Sequence, residues 1–218
     1  MKAAIFDLDG TILDSLGACG RVFARCLSSM EIETDEPLDQ YFADNGYKPT
    51  VNYIQQKYLV DKTSEELQDI IINLLEQEYA ESISAFDGAC EFVNALHRNG
   101  LALVLLTANR RVLAQSALHR LGLKDCFISL IAATEAGISK SDPKTYTDIV
   151  QMLGVSAQDC YMFDDSQKPL AAATEAGLMS VGVFHNVAEA DAMLMCSCSR
   201  SFITSFSKSV IDRLLKCH

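Results

Sequence analysis

The stretch Ala3-Ala4-Ile5-Phe6-Asp7-Leu8-Asp9-Gly10-Thr11 decides how this chain is read, because an unbroken apolar run stops abruptly at two acids and a glycine. The apolar run predicts a buried strand. Alternate residues of an extended chain face the same side, so Asp7 and Asp9 address one bound group while Leu8 turns back into the core. Gly10 lets the backbone turn sharply and approach a ligand closely. Adjacent carboxylates repel each other and any anionic substrate, so the arrangement is stable mainly with a hard cation such as Mg²⁺ between them. The pair therefore points to metal-assisted chemistry on phosphate. The plainer alternative is a polar turn after a buried strand, where Asp and Gly are common on conformational grounds.

Two later segments repeat the pattern. Leu101-Ala102-Leu103-Val104-Leu105-Leu106 runs into Thr107-Ala108-Asn109, and Cys160-Tyr161-Met162-Phe163 runs into Asp164-Asp165-Ser166, each followed by a helical pattern. Apolar runs alternating with helices predict a parallel sheet covered on both faces, which binds ligands beyond the carboxyl ends of its strands. Asp7, Thr107 and Asp165 are then expected in one crevice. Between these segments Lys140 precedes Ser141-Asp142-Pro143, a helix start with Pro in the first turn, which places the lysine beside a positive helix end. An ordinary solvated loop lysine is the alternative.

In order and spacing, these four segments resemble the haloacid dehalogenase superfamily, whose pattern is Asp-x-Asp-Gly-Thr, a strand-ending Thr or Ser, a Lys and an acidic pair. The match spans nearly the whole chain, and Phe86-Asp87-Gly88 through Leu121-Gly122-Leu123 is similar to the family's stretch around the second motif. Within the family the chain looks like the phosphoglycolate phosphatases and beta-phosphoglucomutases. The resemblance implies Asp7 as nucleophile and Asp9 as general acid and base. It implies Mg²⁺ held by an oxygen of Asp7, the backbone carbonyl of Asp9 and the carboxylate of Asp165, with Asp164 supporting the metal. Thr107, the N–H of Ala108 and Asn109 would bind the phosphoryl oxygens, and Lys140 would neutralise both the phosphate and Asp7. In-line displacement at phosphorus needs these parts: an oxygen nucleophile, charge neutralisation and a proton for the leaving alkoxide. Family dehalogenases lack the second Asp and use no metal, so Asp9 argues for phosphoryl transfer.

The chain departs from the family pattern in two places. Asp164-Asp165 stands where many relatives have Gly-Asp or Glu-Asp, so the metal ligand could shift between the two, and the following Ser166 favours Asp165. Ser141 stands where Pro commonly follows the lysine, which alters the loop and leaves the reacting groups intact.

Length and spacing suggest two parts. The chain has 218 residues, and after Asp14 no strand-like run appears before residue 101. Residues 15–85 are expected as an all-helical cap, inserted into a core made of 1–14 and 86–218, with hinges near Asp14–Gly17 and Ser84–Gly88. Helices are expected near Leu16–Met30, Pro37–Asp44, Thr50–Leu59 and Ser64–Ser82, the last opened by the capping signal Thr63-Ser64-Glu65-Glu66. In such a cap the loop Asp44-Asn45-Gly46-Tyr47-Lys48-Pro49 would reach toward the active site, with Lys48 either contacting an anionic part of the substrate or simply solvated. Arg110 and Arg111 face the same choice, and at least one is expected to be structural.

A net charge of −11 and a pI near 4.7 argue against a nucleic-acid footprint, so the substrate is expected to be small and attraction must be local. No run reaches membrane-spanning length and no signal-peptide pattern is seen, which suggests a cytoplasmic protein. The eight cysteines mostly sit in apolar patterns and read as small core hydrophobes. Cys196, Cys198, Cys217 and His218 imitate a metal cluster but lack its spacing. No P-loop, Gly-x-Ser-x-Gly elbow or His-Glu-x-x-His motif occurs.

The expectation is therefore an α/β protein with a Rossmann-like parallel sheet and an inserted helical cap. Its function would be that of a Mg²⁺-dependent phosphatase cleaving a small phosphorylated metabolite through an aspartyl-phosphate, as a monomer or weak homodimer. A sugar phosphomutase uses the same nucleophile and is distinguished by isomerisation without free phosphate. A binding protein that kept the fold without the chemistry should have lost a reacting group, and none is missing.

Overall fold

The computed structural model describes residues 2–34, 36–45, 47–185, 192–193 and 196–216. It comprises two compact units, Met1–Leu13 with Ala85–His218 and Asp14–Ser84. The strands are β1 (Ala3–Phe6), β2 (Ala102–Thr107), β3 (Ser129–Ala132), β4 (Cys160–Asp164), β5 (Met179–Val183) and β6 (Ser201–Ile203). The helices described are α1 (Leu16–Ser28), α2 (Leu38–Asn45), α3 (Tyr47–Lys57), α4 (Ser64–Glu81), α5 (Ala89–Arg98), α6 (Arg111–Arg120), α7 (Pro143–Leu153), α8 (Gln167–Glu175) and α9 (Lys208–Lys216).

The six strands described join one parallel sheet in the order β3-β2-β1-β4-β5-β6, the α/β architecture expected from the apolar runs. β1 lies between β2 and β4, with Ala3 paired to Ala102 on one side and to Cys160 on the other. Both faces of β1 are covered, which is why its four residues are apolar without alternation. On one face Ala3 and Ile5 join Val104, Leu106 and Met162, packed under Tyr146 and Ile149 of α7 and Ala173 of α8. On the other, Phe6 stacks on Phe163 with ring centroids 4.7 Å apart and meets Phe92 of α5 edge-on at 6.0 Å.

The chain leaves this unit after Leu13 and returns at Ala85, and those two residues pair in an isolated antiparallel bridge. In the second unit, Phe23, Cys26 and Leu27 of α1, Val51 and Ile54 of α3, and Leu67 and Ile71 of α4 form one apolar cluster. The expected capping box opens α4: Glu66 N–H donates to Thr63 Oγ1 and Thr63 N–H donates to Glu66 Oε2. Glu78, which falls in the apolar spacing of α4, is buried and ion-paired to Arg25 of α1 across 2.7 Å.

One local expectation is overturned. The segment 44–49 was expected as a loop, but Asn45 ends α2 and the chain is helical again from Tyr47. Pro49 falls in the first turn of α3, where a missing N–H breaks no intrahelical bond. Lys48 is thus an exposed residue of a helix start rather than of a loop.

Cys26, Cys126 and Cys160 are buried, and these together with Cys90 and Cys198 are free thiols. Cys217 and His218 lie outside the described residues, as does the side chain of Cys196. Among the described residues no helix is long and apolar enough to cross a membrane.

Candidate active site

The strand order reverses between β1 and β4, and parallel sheets of this kind bind ligands beyond the carboxyl ends at such a switch point. Asp7 stands one residue past β1, and its N–H donates to the Phe163 carbonyl at 2.9 Å, extending the β1–β4 ladder. Asp164 ends β4 and Asp165 follows it. Lys140 Nζ lies 2.6 Å from Asp7 Oδ1 and 2.7 Å from Asp164 Oδ2, bridging the two strand ends. The other oxygen of Asp164, Oδ1, accepts from Ser166 N–H at 2.8 Å, so both oxygens of this buried carboxylate are engaged.

Asp165 instead faces Gly10. A Cβ on Gly10 would sit 2.5 Å from Asp165 Oδ2, and the backbone there has φ +81°, a conformation open to glycine at little cost. Carboxylate oxygens of Asp7, Asp164 and Asp165 all lie within 4.8 Å of one another.

The loop carrying Lys140 is held by the first turn of α7. Asp142 caps this helix by accepting from Lys144 N–H at 2.9 Å, and Pro143 follows as expected from the sequence. Tyr146 Oη donates to the Lys140 carbonyl at 2.8 Å and Thr145 Oγ1 to the Ser139 carbonyl at 2.7 Å. A buried tyrosine thus sets the backbone from which the lysine reaches across.

At the end of β2, Thr107 is buried and its Oγ1 accepts from Asn109 N–H at 3.0 Å. Asn109 Nδ2 donates to Asp9 Oδ2, also at 3.0 Å, while its Oδ1 accepts from Arg110 N–H at 2.8 Å. Ala108 is exposed, and its carbonyl accepts from Thr134 Oγ1. Arg111 is structural: its guanidinium donates to the Leu130 carbonyl at 2.8 Å, along the edge of the sheet. Arg110 is exposed, and Lys48 belongs to the second unit.

Burial governs the electrostatics. It pushes the Asp7 carboxyl up to about 7; Lys140 opposes the shift, and the charges of Asp164 and Asp9 add to it. Burial likewise raises Asp164 against the pull of Lys140, and raises Asp165 to about 6 with help from the charge of Asp7. Lys140 is itself penalised by burial, but Asp7 and Asp164 outweigh this and hold it protonated well above the usual lysine range. Clustered acids thus meet one ammonium group and retain a deficit of positive charge.

That donor set fits a hard divalent cation. Such ions take carboxylate oxygens, and here the acids converge while Gly10 keeps the space before Asp165 free of a side chain. The residues suited to hold it are Asp7, Asp165 and, behind them, Asp164.

A haloacid dehalogenase-like hydrolase family model matches residues 1–177, the stretch holding every residue of this crevice. The chain belongs to the haloacid dehalogenase-like hydrolases. Relatives of this hydrolase include validoxylamine A 7'-phosphate phosphatase of Streptomyces hygroscopicus subsp. limoneus, 26% identical over 88% of this chain and 92% of that protein. Beta-phosphoglucomutase of Bacillus subtilis is also 26% identical, over 84% and 83% of the two chains. A solved Thermotoga maritima structure, provisionally assigned as a beta-phosphoglucomutase, superposes with a TM-score of 0.87 at 20% identity over the full length of both chains. The resemblance expected from the motifs is thus met by the family model and by the fold.

Three contacts of the hydrolase escape sequence reasoning. The bond from Asn109 to Asp9 depends on the turn after β2, although an amide directly beyond a strand end was a signal for a polar role. Tyr146 reads as one more apolar position of α7. His185, just past β5, has Nε2 3.1 Å from the Thr11 carbonyl and carries no motif at all.

Proposed function

We propose that this hydrolase is a Mg²⁺-dependent phosphomonoesterase of a small phosphorylated metabolite, working through an aspartyl-phosphate on Asp7. The observation that carries the reading is Lys140 bridging Asp7 and Asp164 while the Asp165 carboxylate, packed against Gly10, converges with them within 4.8 Å. A structural ion pair would need only one acid; the extra carboxylates are costly unless a cation and an anionic ligand complete the site. The phosphatase and phosphomutase relatives support the same class of chemistry.

In this reading, the Asp7 oxygen not held by Lys140 attacks phosphorus in line, and the bond from phosphorus to the leaving oxygen breaks. Asp9, oriented by Asn109, gives the leaving oxygen its proton. The Asp9 carboxylate then takes a proton from water, whose oxygen attacks the phosphoryl group and breaks its bond to Asp7, releasing inorganic phosphate. Thr107 Oγ1 and the Ala108 N–H donate to the phosphoryl oxygens, and Lys140 offsets their charge. Asp7, Asp165 and the backbone carbonyl of Asp9, with Asp164 behind, would hold Mg²⁺, which would supply the further positive charge that lets an anionic nucleophile meet an anionic substrate. Asp165 is preferred to Asp164 as direct ligand because both oxygens of Asp164 are already engaged. The second unit would act as the cap that selects the substrate, and the protein would work in the cytoplasm.

The test is phosphate release from a panel of small phosphomonoesters with and without Mg²⁺, wild type beside Asp7→Asn. Metal-dependent release that the substitution abolishes supports the reading. Interconversion of sugar phosphates with little free phosphate would turn it into a phosphomutase, and no turnover of any compound would overturn it.

A further inference from the structure

His185 lies one residue beyond Phe184 at the carboxyl end of β5, outside the acidic crevice, yet it touches both the segment by which the chain leaves the first unit and the one by which it returns. Its Nε2 lies 3.1 Å from the carbonyl of Thr11, in the turn that follows Asp9 and leads out to Leu13. A carbonyl only accepts, so the imidazole carries its proton on Nε2 and donates. The same ring stacks on Phe86, with centroids 3.6 Å apart and planes 15° off parallel, where the chain has just returned at Ala85. Phe206 flanks the ring at 5.4 Å. Thr11 is fully buried, and its hydroxyl makes no hydrogen bond among the described residues, so the contact at its carbonyl is a polar anchor that its own side chain does not provide. The turn is otherwise closed by Ile12 and Leu13 N–H donating to the Leu8 carbonyl, and is tied to the return strand by Phe86 N–H donating to the Ile12 carbonyl.

We infer that His185 is a positioning residue that fastens the outgoing turn and the returning strand together, and so fixes the backbone on which Asp9 and Gly10 stand. One polar and one aromatic contact from a single side chain join segments more than seventy residues apart in sequence. A side chain in this place acts on turnover through the turn without touching the reacting atoms. Small displacements of an acid or a metal-binding loop slow chemistry far more than they weaken binding.

The kinetic arm rests on the phosphomonoesterase reading; a second arm does not. His185→Phe keeps the stack and loses the donor, His185→Gln restores an N–H donor, and His185→Leu loses both contacts. The expected result is a kcat about tenfold lower in the Phe and Leu variants with KM within about twofold of wild type, and recovery of most of kcat in the Gln variant. In parallel, hydrogen exchange of the Ile12, Leu13 and Phe86 amides should accelerate in His185→Phe while the buried β2 amides of Val104, Leu105 and Leu106 keep their wild-type protection, and slow again in His185→Gln. Unchanged exchange at the three turn amides overturns the proposal, as does equal acceleration in β2, which would make His185 a general stability residue. Wild-type kcat in His185→Phe overturns it as well. Should wild type release no phosphate, the functional reading falls, and the exchange arm alone decides the role of His185.

Discussion

Asn109 reaches across from the end of β2 to hold Asp9, with Nδ2 donating to Oδ2 at 3.0 Å. A residue expected from the family pattern to touch the substrate's phosphoryl group is thereby engaged with the acid proposed to move the proton. Asn109→Ala should lower kcat about tenfold and leave KM within a few-fold, because the lost bond orients a proton carrier. Steady-state kinetics on the best substrate of the panel checks this, and a change confined to KM would assign Asn109 to substrate binding instead.

Gly10 and Asp165 approach so closely that Gly10→Ala must displace the carboxylate as well as strain the turn at φ +81°. The expected cost is about 1–2 kcal/mol of stability from the backbone alone. The larger effect falls on metal binding, with the Mg²⁺ concentration for half-maximal activity rising by about tenfold or more. Thermal unfolding and a Mg²⁺ titration read the two effects separately.

Tyr146→Phe removes the hydroxyl that donates to the Lys140 carbonyl and changes nothing else in the packing of α7. Loss of one buried hydrogen bond should destabilise the protein by about 1 kcal/mol. Activity should fall by a further few-fold beyond any effect of stability, since the lysine loop loses its support. A variant as active as wild type would show that the loop is fixed by Thr145 and Asp142 alone.

Glu78 makes the pH dependence of the second unit testable. Burial raises its carboxyl, but Ser82, Arg25 and Arg21 outweigh this and hold it below the usual range. A lowered carboxyl adds stability above its ordinary value of 4.5, and that stability disappears as pH falls through the still lower value in the folded protein. Glu78→Gln should therefore cost about 1–3 kcal/mol near pH 7, and the difference from wild type should shrink as pH falls below 4.5 and through the lowered value of the folded protein. Urea unfolding of both proteins at several pH values measures it.

The strands nearest the site were the legible ones. β1, β2 and β4 are covered on both faces, so their residues are apolar throughout and end sharply where the sheet opens to the crevice. The edge strand β6 is only Ser201-Phe202-Ile203, too short and mixed to announce itself. Carboxylates, threonine and lysine could be assigned from type and order, because the chemistry tolerates few substitutes. The start of α3 was hidden by Pro49, which reads as a breaker until its place in a first turn is known. The reach of Asn109 and the double contact of His185 depend on turns and on pairings distant in sequence, which no local pattern encodes.

The central place of β1 also sets the order of events during synthesis. Its apolar residues leave the ribosome long before their partners, since Ala3 pairs with Ala102 and Cys160. Closing the first of these loops across roughly a hundred residues costs on the order of 4 kcal/mol in chain entropy, set against only a four-residue ladder. The helices of 14–84 close shorter loops, with α1 meeting α4 through Arg25 and Glu78, 53 residues apart. Until β2 and β4 arrive, the nascent chain therefore carries an unpaired apolar strand, and that interval is when it is most exposed to aggregation.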